Sequence, residues 1–544
     1  MIILGIHGGP SGSHGTGACL LDDGKLIYAI EEERLIRYKH ATSCFPEEAL
    51  KAIFKKTGVN QKTIDLIAFT GITYEDMKVR WPSYMDHRFG IQSEFFPVNH
   101  QVSHSANAFY FSPFDRALVI SLDGVGDRMS GLVSIWEGAN YKEIKQFSNK
   151  QSIGFFWHIL TQYIGFEPID ESWKVMGLAP FGEPKYDLSD ILRIENGDIF
   201  FDDKYLFPKY KFNNYSPYER WFTEKLISFL PFSPRKILEK LRPCDRDIAA
   251  SMQRHLEQSL SSLFSFYIKE TQMKNLCFGG GVSLNSKANG YLSKILDINN
   301  MYVSPASADN GLAVGAACFA YSQKTGNRPK QIHTPYLGIE YSESEIMETV
   351  RNSGLPYKEN VTFEQISEIL LQDKVLGLYQ GRSEYGPRAL GNRSIISSPC
   401  KVEMRDNVNR KIKYREEYRP FAPVITKEFA DVYFELGKGL YNHMSFCVKA
   451  KQITKEKAPA IVHADGTSRV QVVTVENNSF LYNLVLAFYK KSGVPILLNT
   501  SFNLRGEPIV DTPRDAIRTF VASGLDYLVM GSLLITKNIS NENL

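Results

Sequence analysis

Short apolar runs of strand type alternate with stretches of helical periodicity along the whole of this 544-residue chain. The strand-like runs start at the first residues and include IILGIHG, CLLDD, KLIYAIEEE, LIAFTG and ALVISLDG. This alternation predicts an α/β fold. Because one hydrophobic core rarely organises so many residues, we expect two or three domains. Glycine, proline and polar residues interrupt the pattern in KTGNRPKQIHTP, which predicts a first domain at 1–335 and a second at 336–544.

Two segments near the front of the chain resemble each other. Residues 5–24 and residues 121–138 each run from a strand through a glycine turn into a second strand. Duplication of a phosphate-loop hairpin would explain this likeness, and so would chance similarity between two hairpins. The sequence leaves both interpretations open.

Charge and cysteine content restrict the partners and the compartment. Lysine plus arginine numbers 63 against 60 acidic residues, so a net charge of +3 gives no general attraction to nucleic acid or to an anionic membrane. The seven cysteines are scattered without a C-x-x-C spacing, which fits a reducing compartment. The amino terminus lacks the features of a signal peptide, and no segment reaches membrane-spanning length. We expect a cytoplasmic protein without nucleic-acid or membrane partners, and no heptad pattern indicates an oligomeric state.

Two histidines and two aspartates form a candidate metal site. His100 and His104 lie four residues apart in VNHQVSHSANAFYFS, which places both imidazoles on one face of a predicted helix. Asp123 ends the strand ALVISLD, and Asp309 follows the strand MYVSPASA. Two nitrogens and two oxygens suit iron(II), manganese or zinc better than magnesium or calcium. A pair of solvent or core histidines is the alternative interpretation.

Three glycine-rich turns, GGPSGSHGTG, DGVGD and FGGGVSLN, could let phosphate groups approach the backbone. In the last of them Gly279, Gly280 and Gly281 stand between a strand-like run and a predicted helix, where backbone N–H groups could meet a nucleotide. A tight turn without a ligand is the alternative.

The second domain contains a strongly basic stretch. Residues 381–420 hold ten lysines and arginines against five acids, a local charge of +5 in a nearly neutral chain. Arg382, Arg388 and Arg393 surround a G-P turn, and KIKYREEYRP adds further cations. Guanidinium groups bind phosphate in a bidentate manner, so the stretch predicts an anion site, with a solvated charged face as the alternative. An aromatic-rich segment at 195–241 could line an acceptor pocket or simply pack as a surface excursion.

Several long blocks in this order resemble the O-carbamoyltransferases of the NodU/CmcH family. The blocks include SHGTGACL, EEERLIRYKH, NHQVSHSANAFYFS, LDGVGD, KVMGLAPFG, GGGVSLN, SPASADNG, EYGPRALGNRSI, IKYREEYRPFAP and LLNTSFNLRGEPIV, and they span nearly the whole chain. The resemblance implies an actin/hexokinase-type domain similar to TsaD, fused to a YrdC-like α/β domain. It also implies small-molecule partners, namely carbamoyl phosphate, ATP and a hydroxylated acceptor.

The resemblance implies roles for particular residues. An iron-type divalent ion would be held by His100, His104, Asp123 and Asp309. The ATP site would comprise Gly124, Gly126, Asp127, Lys174, Gly177, Gly279, Gly280, Gly281, Val282, Asn285 and Asp309. The carbamoyl phosphate site would comprise Arg388, Lys413, Arg419, His443, Arg469, Asn503 and Arg505. His14 resembles the transfer-site histidine, and Lys39 is a second candidate for catalysis. Gly15 departs from the family, which commonly has aspartate after that histidine.

The expected reaction is therefore cleavage of carbamoyl phosphate, formation of carbamoyl adenylate from ATP, and transfer of the carbamoyl group to a hydroxyl of a natural product or sugar. Two alternatives remain. The TsaD-like domain allows a tRNA-modifying threonylcarbamoyl-type transferase, although the near-neutral charge offers no extended basic stripe for tRNA. A catalytically silent nucleotide-binding regulator could also retain this fold.

Overall fold

A computed structural model describes residues 1–9, 13–73, 75–206, 220–416 and 418–537. The chain forms two compact units. The first comprises Met1–Ile27, Thr42–Ile332 and Gly437–Leu440, and the second comprises Tyr28–Ala41, His333–Leu436 and Tyr441–Leu544. The longest uninterrupted stretch of the first unit thus ends at Ile332, while a short segment from the front of the chain belongs to the second unit. Among the described residues, no helix combines the length and the apolar character needed to cross a bilayer.

A five-stranded sheet starts at the amino terminus. Its strands are β1 (Ile2–His7), β2 (Gly17–Asp22), β3 (Lys25–Glu31), β4 (Leu66–Thr70) and β5 (Glu94–Val98). They lie in the order β3-β2-β1-β4-β5. β1 pairs antiparallel with β2 and parallel with β4, and β4 pairs parallel with β5.

A second five-stranded sheet repeats this arrangement. The strands that follow are β6 (Arg116–Gly126), β7 (Met129–Glu137), β8 (Asn140–Ser148), β9 (Leu192–Glu195), β10 (Asp198–Phe201), β11 (Asn275–Gly279) and β12 (Asn300–Val303). β9 and β10 form a separate ribbon, and the others lie in the order β8-β7-β6-β11-β12, again an antiparallel hairpin beside two parallel strands. The similar segments at 5–24 and 121–138 hold equivalent positions in these two sheets, as a duplicated hairpin would. This duplicated order confirms the expected actin/hexokinase-like fold.

Helices connect and cover these strands. The first ten are α1 (Glu32–Ile36), α2 (Glu47–Thr57), α3 (Met77–Phe89), α4 (His100–Phe111), α5 (Ile153–Tyr163), α6 (Ser172–Leu178), α7 (Glu224–Phe229), α8 (Pro243–Thr271), α9 (Ser286–Ile295) and α10 (Leu312–Thr325). α10 packs on the first sheet, α4 packs on the second, and the two helices pack on each other. Gly315 allows this approach, because a Cβ there would lie 1.9 Å from the carbonyl oxygen of Ser103. α4 begins at His100, and α10 begins shortly after Asp309.

The second unit contains a mixed sheet of eight strands and a smaller sheet of three. The strands are β13 (Tyr357–Lys358), β14 (Leu376–Tyr379), β15 (Arg393–Ser397), β16 (Ala422–Thr426), β17 (Phe434–Glu435), β18 (Cys447–Ala450), β19 (Thr467–Arg469), β20 (Gln471–Val473), β21 (Ile496–Ser501), β22 (Tyr527–Met530) and β23 (Leu533–Thr536). The larger sheet has the order β13-β23-β22-β14-β15-β21-β16-β20, and the smaller one β17-β18-β19.

The helices of the second unit are α11 (Glu343–Ser353), α12 (Phe363–Leu371), α13 (Glu403–Val408), α14 (Lys427–Tyr433), α15 (Gln452–Lys457), α16 (Ser479–Ser492) and α17 (Pro513–Val521). β15 and β21 are antiparallel neighbours with Ser394 opposite Ser501. This register places the loop that precedes β15 beside the loop that follows β21. Both loops carry arginines predicted for the anion site. The α/β class predicted for both domains is confirmed.

Candidate active site and metal centre

The start of α4 fixes the two histidines. Asn99 caps the helix, since its Oδ1 accepts hydrogen bonds from the backbone N–H groups of Gln101 and Val102 at 2.9 and 3.2 Å. Asp127 Oδ2 accepts from the backbone N–H of His100 at 2.8 Å. With the helix held in this way, the Nε2 atoms of His100 and His104 lie 3.1 Å apart. The i,i+4 spacing therefore brings both ring nitrogens to one point.

Two carboxylates face these nitrogens. Asp123 Oδ2 lies 3.1 Å from His100 Nε2 and 3.4 Å from His104 Nε2. Asp309 Oδ1 lies 3.5 and 3.4 Å from the same two atoms. One ligand atom from each of the four residues lies within 4.8 Å of every other. The four residues predicted as metal ligands are thus brought together.

The donor set fits a divalent transition ion. Ligand atoms bonded to one ion at about 2.0–2.2 Å stand roughly 3 Å or slightly more apart, which matches the separations between these nitrogens and oxygens. Asp309 Oδ1 and His104 Nδ1 are buried without a hydrogen-bond partner among the described residues. A buried acceptor without a donor is unfavourable, and an ion bound at Asp309 Oδ1 would satisfy it.

Electrostatics tie the four groups to one another. Burial lowers the pKa of His100, but the carboxylates of Asp309 and Asp123 outweigh it and raise that pKa to about 10. Burial lowers the pKa of His104 too, but the nearby carboxylates of Asp123 and Asp309 outweigh burial and raise that pKa. Burial and mutual repulsion raise the pKa of Asp123, yet its contacts with the histidines hold it below the usual value. The pKa of Asp309 is also held well below its usual value, since the effects of His14 and His100 outweigh that of burial.

Two glycines let backbone approach this cluster. A Cβ at Gly126 would lie 2.1 to 2.4 Å from ring atoms of His100, so only glycine leaves the imidazole in place. The N–H of Gly281 donates to Asp123 Oδ1 at 3.2 Å, and a Cβ there would lie 2.7 Å from the same oxygen. Gly279 ends β11, and Gly280 has a φ of +81° and donates to the carbonyl of Ser307. The predicted glycine turn therefore adjoins the proposed ligand Asp123.

Other residues predicted for the nucleotide site have structural contacts. Asp127 accepts hydrogen bonds from the backbone N–H and the hydroxyl of Thr73, in addition to the one from the backbone N–H of His100. Lys174, in α6, forms an ion pair with Glu171. Asn285 caps α9 and exchanges two hydrogen bonds with Gln253. Of the remaining predicted residues, Gly124 lies in β6, Gly177 lies in α6 and Val282 lies in the turn Gly281–Leu284.

His14 joins the cluster through Asp309. Its Nδ1 lies 3.4 Å from Asp309 Oδ2, and its side chain is 36% exposed. Gly15 has a φ of +70°, and a Cβ there would lie 2.6 Å from the backbone nitrogen of Asn310. Any larger side chain at this position would clash with that backbone. Lys39, the other predicted catalytic residue, lies in the segment Tyr28–Ala41 of the second unit.

Two further histidines surround the site and were missed by sequence reasoning. His7 ends β1, and its Nε2 donates to the carbonyl of His14 at 3.1 Å while Nδ1 accepts from the Thr70 hydroxyl at 2.6 Å. Burial lowers the pKa of His7 to about 4. The pKa of His158, on α5, is also lowered to about 4, chiefly by burial. The charge of Asp123 raises this pKa and that of His14 lowers it. A histidine at the end of β1 was a possible signal, whereas nothing in the sequence around His158 marks it.

In the second unit, Arg388 and Arg469 lack anionic partners among the described residues. No ion pair or hydrogen bond joins either guanidinium to another of the described residues, and Arg469 Nε is buried. Burial and the nearby charges of Arg469 and Arg419 hold the pKa of Arg388 well below its usual value. Burial lowers the pKa of Arg469 as well. Half-buried guanidinium groups that repel one another are destabilising unless an anion binds between them.

Buried side chains within the loop that carries Arg388 fix its backbone by hydrogen bonds. Glu384 Oε1 accepts hydrogen bonds from the backbone N–H groups of Leu390, Asn392 and Arg393, at 2.8, 2.8 and 3.2 Å. The side chain of Arg393 is fully buried and donates to the carbonyls of Gln380, Gly381 and Asn392. Arg393 is therefore a structural residue of this loop. Arg382 similarly donates to the carbonyls of Leu337 and Gly338.

Lys413 and Asn503 form a second group of predicted residues. Lys413 Nζ donates to Asn503 Oδ1 at 2.7 Å and to Ser501 Oγ at 3.2 Å, and it also contacts the carbonyl of Ser501. Burial, Arg415 and Arg419 hold the pKa of Lys413 well below its usual value. Asn503 Nδ2 donates to the carbonyl of Glu507 at 2.7 Å. These contacts fix the loop that follows β21.

The other residues predicted for the carbamoyl phosphate site differ in burial and in contacts. The pKa of Arg419 is lowered to about 10, chiefly by burial and also by Arg469 and Arg505, against the opposing effect of Glu416. Arg505 is 62% exposed and lies 3.8 Å from Glu416. His443 is buried in the short turn Tyr441–His443. In the aromatic segment 195–241, Tyr205, Trp221 and Phe222 are buried, and residues 207–219 lie outside the described residues.

Comparison with known proteins gives the family. The profile "Carbamoyltransferase N-terminus" matches residues 3–97 and 88–318, and "Carbamoyltransferase C-terminus" matches residues 367–537. Nodulation protein NolNO of Sinorhizobium fredii is 31% identical over 99% of this chain and 83% of its own. Nodulation protein NolO of Bradyrhizobium diazoefficiens is 34% identical over 81% of this chain and 79% of its own.

A named enzyme is among the relatives. The 3'-hydroxymethylcephem-O-carbamoyltransferase of Streptomyces clavuligerus is 25% identical over 95% of this chain and 96% of its own. Full-length HypF in its phosphate- and nucleotide-bound form aligns with a TM-score of 0.38 and 12% identity, covering 60% of this chain and 47% of that chain. The two profiles and the relatives that match over most of their length show that this chain is an enzyme of the carbamoyltransferase family.

Proposed function

We propose that this carbamoyltransferase cleaves carbamoyl phosphate in its second unit, forms carbamoyl adenylate from ATP in its first unit, and transfers the carbamoyl group to a hydroxyl of a small molecule. The observation that carries the proposal is the pair Arg388 and Arg469, whose guanidinium groups have no anionic partner among the described residues. A small dianion such as the phosphate of carbamoyl phosphate would offset their repulsion.

In the first step, water adds to the carbamoyl carbon, and the bond from that carbon to the phosphate oxygen breaks. The departing phosphate gains charge, which Arg388 and Arg469 would stabilise because they are already in place. Lys413 would keep Asn503 in position rather than meet the phosphate itself, since its ammonium group is occupied by Asn503 and Ser501. The products are carbamate and phosphate.

In the second step, a carbamate oxygen attacks the α-phosphorus of ATP, and pyrophosphate leaves. His100, His104, Asp123 and Asp309 would hold a divalent ion, with iron(II) favoured over manganese or zinc. When bound, this ion would supply positive charge to offset that of the nucleotide phosphates. Gly279, Gly280 and Gly281 carry no side chains, so phosphate groups can approach the turn beside Asp123 closely.

In the third step, the acceptor hydroxyl attacks the carbamoyl carbon, and AMP leaves. His14 would accept the hydroxyl proton, because it is partly exposed and its Nδ1 lies near Asp309, which orients the ring. His7 donates to the carbonyl of His14 and would keep this loop in position. The name of the cephem relative, a 3'-hydroxymethylcephem-O-carbamoyltransferase, supports a hydroxylated small molecule as acceptor.

The test measures phosphate and pyrophosphate release from the purified protein with ATP, carbamoyl phosphate and iron(II), omitting each in turn. Arg388→Ala should abolish phosphate release. Arg410→Ala is the matched control, because Arg410 is exposed in the same basic stretch. We expect pyrophosphate release to require carbamoyl phosphate. Phosphate release that is unchanged in Arg388→Ala, or pyrophosphate release without carbamoyl phosphate, would contradict the proposal.

A further inference from the structure

The segment Tyr28–Ala41 belongs to the second unit, although hundreds of residues separate it from the rest of that unit. It contains EEERLIRYKH, and we call it the brace. Its arginines reach backbone groups 352 and 472 residues away along the chain. None of these contacts is accounted for by the chemistry proposed above.

One end of the brace binds both backbone polar groups of one residue, Gly386. Arg34 Nη2 donates to the carbonyl of Gly386 at 2.5 Å, and the N–H of Gly386 donates to Glu31 Oε2 at 3.3 Å. Arg34 and Glu31 also form an ion pair of 2.8 Å, with both side chains at most 5% exposed. Gly386 has a φ of +118°, which few other residues adopt. Arg388 follows two residues later.

The other end of the brace holds the loop after β21. Arg37 Nη1 donates to the carbonyl of Ile509 at 2.6 Å, and Nη2 donates to that of Pro508 at 2.9 Å. Its Nε lies 3.6 Å from Asp515 Oδ1. The planar guanidinium thus binds two consecutive carbonyls, a geometry that an ammonium group does not reproduce.

These anchors connect directly to the residues of the anion site. The carbonyl of Glu507, next to Pro508, accepts from Asn503. Asn503 in turn accepts from Lys413. The brace therefore contacts the first loop two residues before Arg388. It contacts the second loop at Pro508, which is adjacent to Glu507, whose carbonyl orients Asn503. The two loops are neighbours through the register of β15 and β21.

We propose that Arg34 and Arg37 are positioning residues for carbamoyl phosphate, which hold the Arg388 loop and the Asn503 loop at the spacing that the anion requires. This inference rests on the proposed function of the same site. Neither arginine needs to touch the substrate. A small displacement of the loops would separate the cations from the phosphate and weaken binding, without changing the chemistry of ATP.

The test uses the full-length protein and the variant Arg37→Lys. Lysine keeps the positive charge beside Asp515 but loses one of the two carbonyl bonds. Arg518→Ala is the matched control, because Arg518 contacts the same loop through the Glu507 side chain, at 3.1 Å, rather than through backbone carbonyls of the described residues, and is 52% exposed. We expect Arg37→Lys to raise the KM for carbamoyl phosphate at least about tenfold, with the KM for ATP within twofold. Arg34→Lys should act in the same direction.

Calorimetric titration with inorganic phosphate checks the site without turnover. The Kd for phosphate should rise in Arg37→Lys to a similar extent as the KM, and Arg518→Ala should match the wild type. An unchanged Kd for phosphate in Arg37→Lys would overturn the positioning role of the brace while leaving the proposed function intact. A lower Tm with equal changes in both KM values would also overturn it, since that indicates only a structural role. Failure of the wild type to bind phosphate or to cleave carbamoyl phosphate would instead refute the proposed function.

Discussion

His100 Nε2 and His104 Nε2 lie 3.1 Å from each other, and both face Asp123 Oδ2 and Asp309 Oδ1. Each nitrogen can bind a carboxylate only if it carries a proton or if both bind one cation. The carboxylates raise the pKa of both imidazoles, so protons occupy this place when no ion does. A divalent ion carries the same charge as the two protons that it would displace. Metal binding and proton release are therefore coupled at this site.

The first prediction concerns pH. Because the pKa of His100 is raised to about 10, its proton is bound throughout the range from pH 6 to pH 9 and must leave when a metal binds. Metal affinity should therefore rise with pH across this range, with at least about one proton released per ion. Calorimetry in two buffers of different ionisation enthalpy at pH 7.5 measures the released protons.

His87→Ala provides a control for this measurement, because His87 is exposed on α3 and should leave the proton count unchanged. Metal binding that is independent of pH between 6 and 9 would show that His100 is not a ligand.

The second prediction concerns the ligands themselves. His104→Ala should lower the affinity for iron(II) at least about a hundredfold, because it removes one of four ligand atoms from a buried site. Carbamoyl phosphate-dependent pyrophosphate release should fall with metal content, while phosphate binding in the second unit should persist. Metal analysis after dialysis and calorimetric titration measure the two effects.

In this experiment His255→Gln is the matched control. His255 is a half-buried histidine of the same unit whose Nε2 donates to the carbonyl of Leu192 at 2.7 Å. If His104→Ala retained wild-type metal content, the four-residue cluster would not be the metal site.

Local sequence was sufficient for the parts of this site that depend on one element at a time. The i,i+4 spacing of His100 and His104 needs only a helix, while Asp123 lies in the last part of β6 and Asp309 begins the short turn that follows β12. The equivalence of the two hairpins could not be decided, since it depends on strand order, which only the sheets reveal.

Contacts between distant segments could not be predicted. His158 reaches the cluster because α5 packs beside β6, and no spacing in the sequence records that packing. Arg34 and Arg37 stand in a charged block typical of a solvated face, yet they bind carbonyls more than 350 residues away. Likewise, the basic stretch at 381–420 does not distinguish Arg393, which binds carbonyls, from Arg388, which does not.

The third prediction concerns the backbone at the cluster. Gly126→Ala places a Cβ 2.1 to 2.4 Å from the His100 ring, so the imidazole must move and metal affinity should fall at least about tenfold. Gly124→Ala in the same strand is the control for metal affinity, because its Cβ would make only an ordinary contact of 3.5 Å with His158. Equal metal affinities in the two variants, measured by competition with a chelating dye, would contradict the geometry of the site.

The fourth prediction separates a binding arginine from a structural one. Arg388→Met removes one of two mutually repelling cations and should raise Tm by about 2 °C, because an unoccupied anion site is destabilising. Arg393→Met leaves several buried carbonyls without a donor and should cost about 3 kcal/mol or more. Scanning calorimetry measures both effects.

Phosphate then distinguishes the two roles. Because a ligand stabilises the state that binds it, phosphate at 100 times its Kd should stabilise the wild type by about 2.7 kcal/mol. Arg388→Met should lose most of this increment, since its site lacks a guanidinium, whereas Arg393→Met should retain it if the loop still folds. An Arg388→Met protein that is less stable than the wild type, and that phosphate still stabilises fully, would show that Arg388 supports the fold rather than binding the anion.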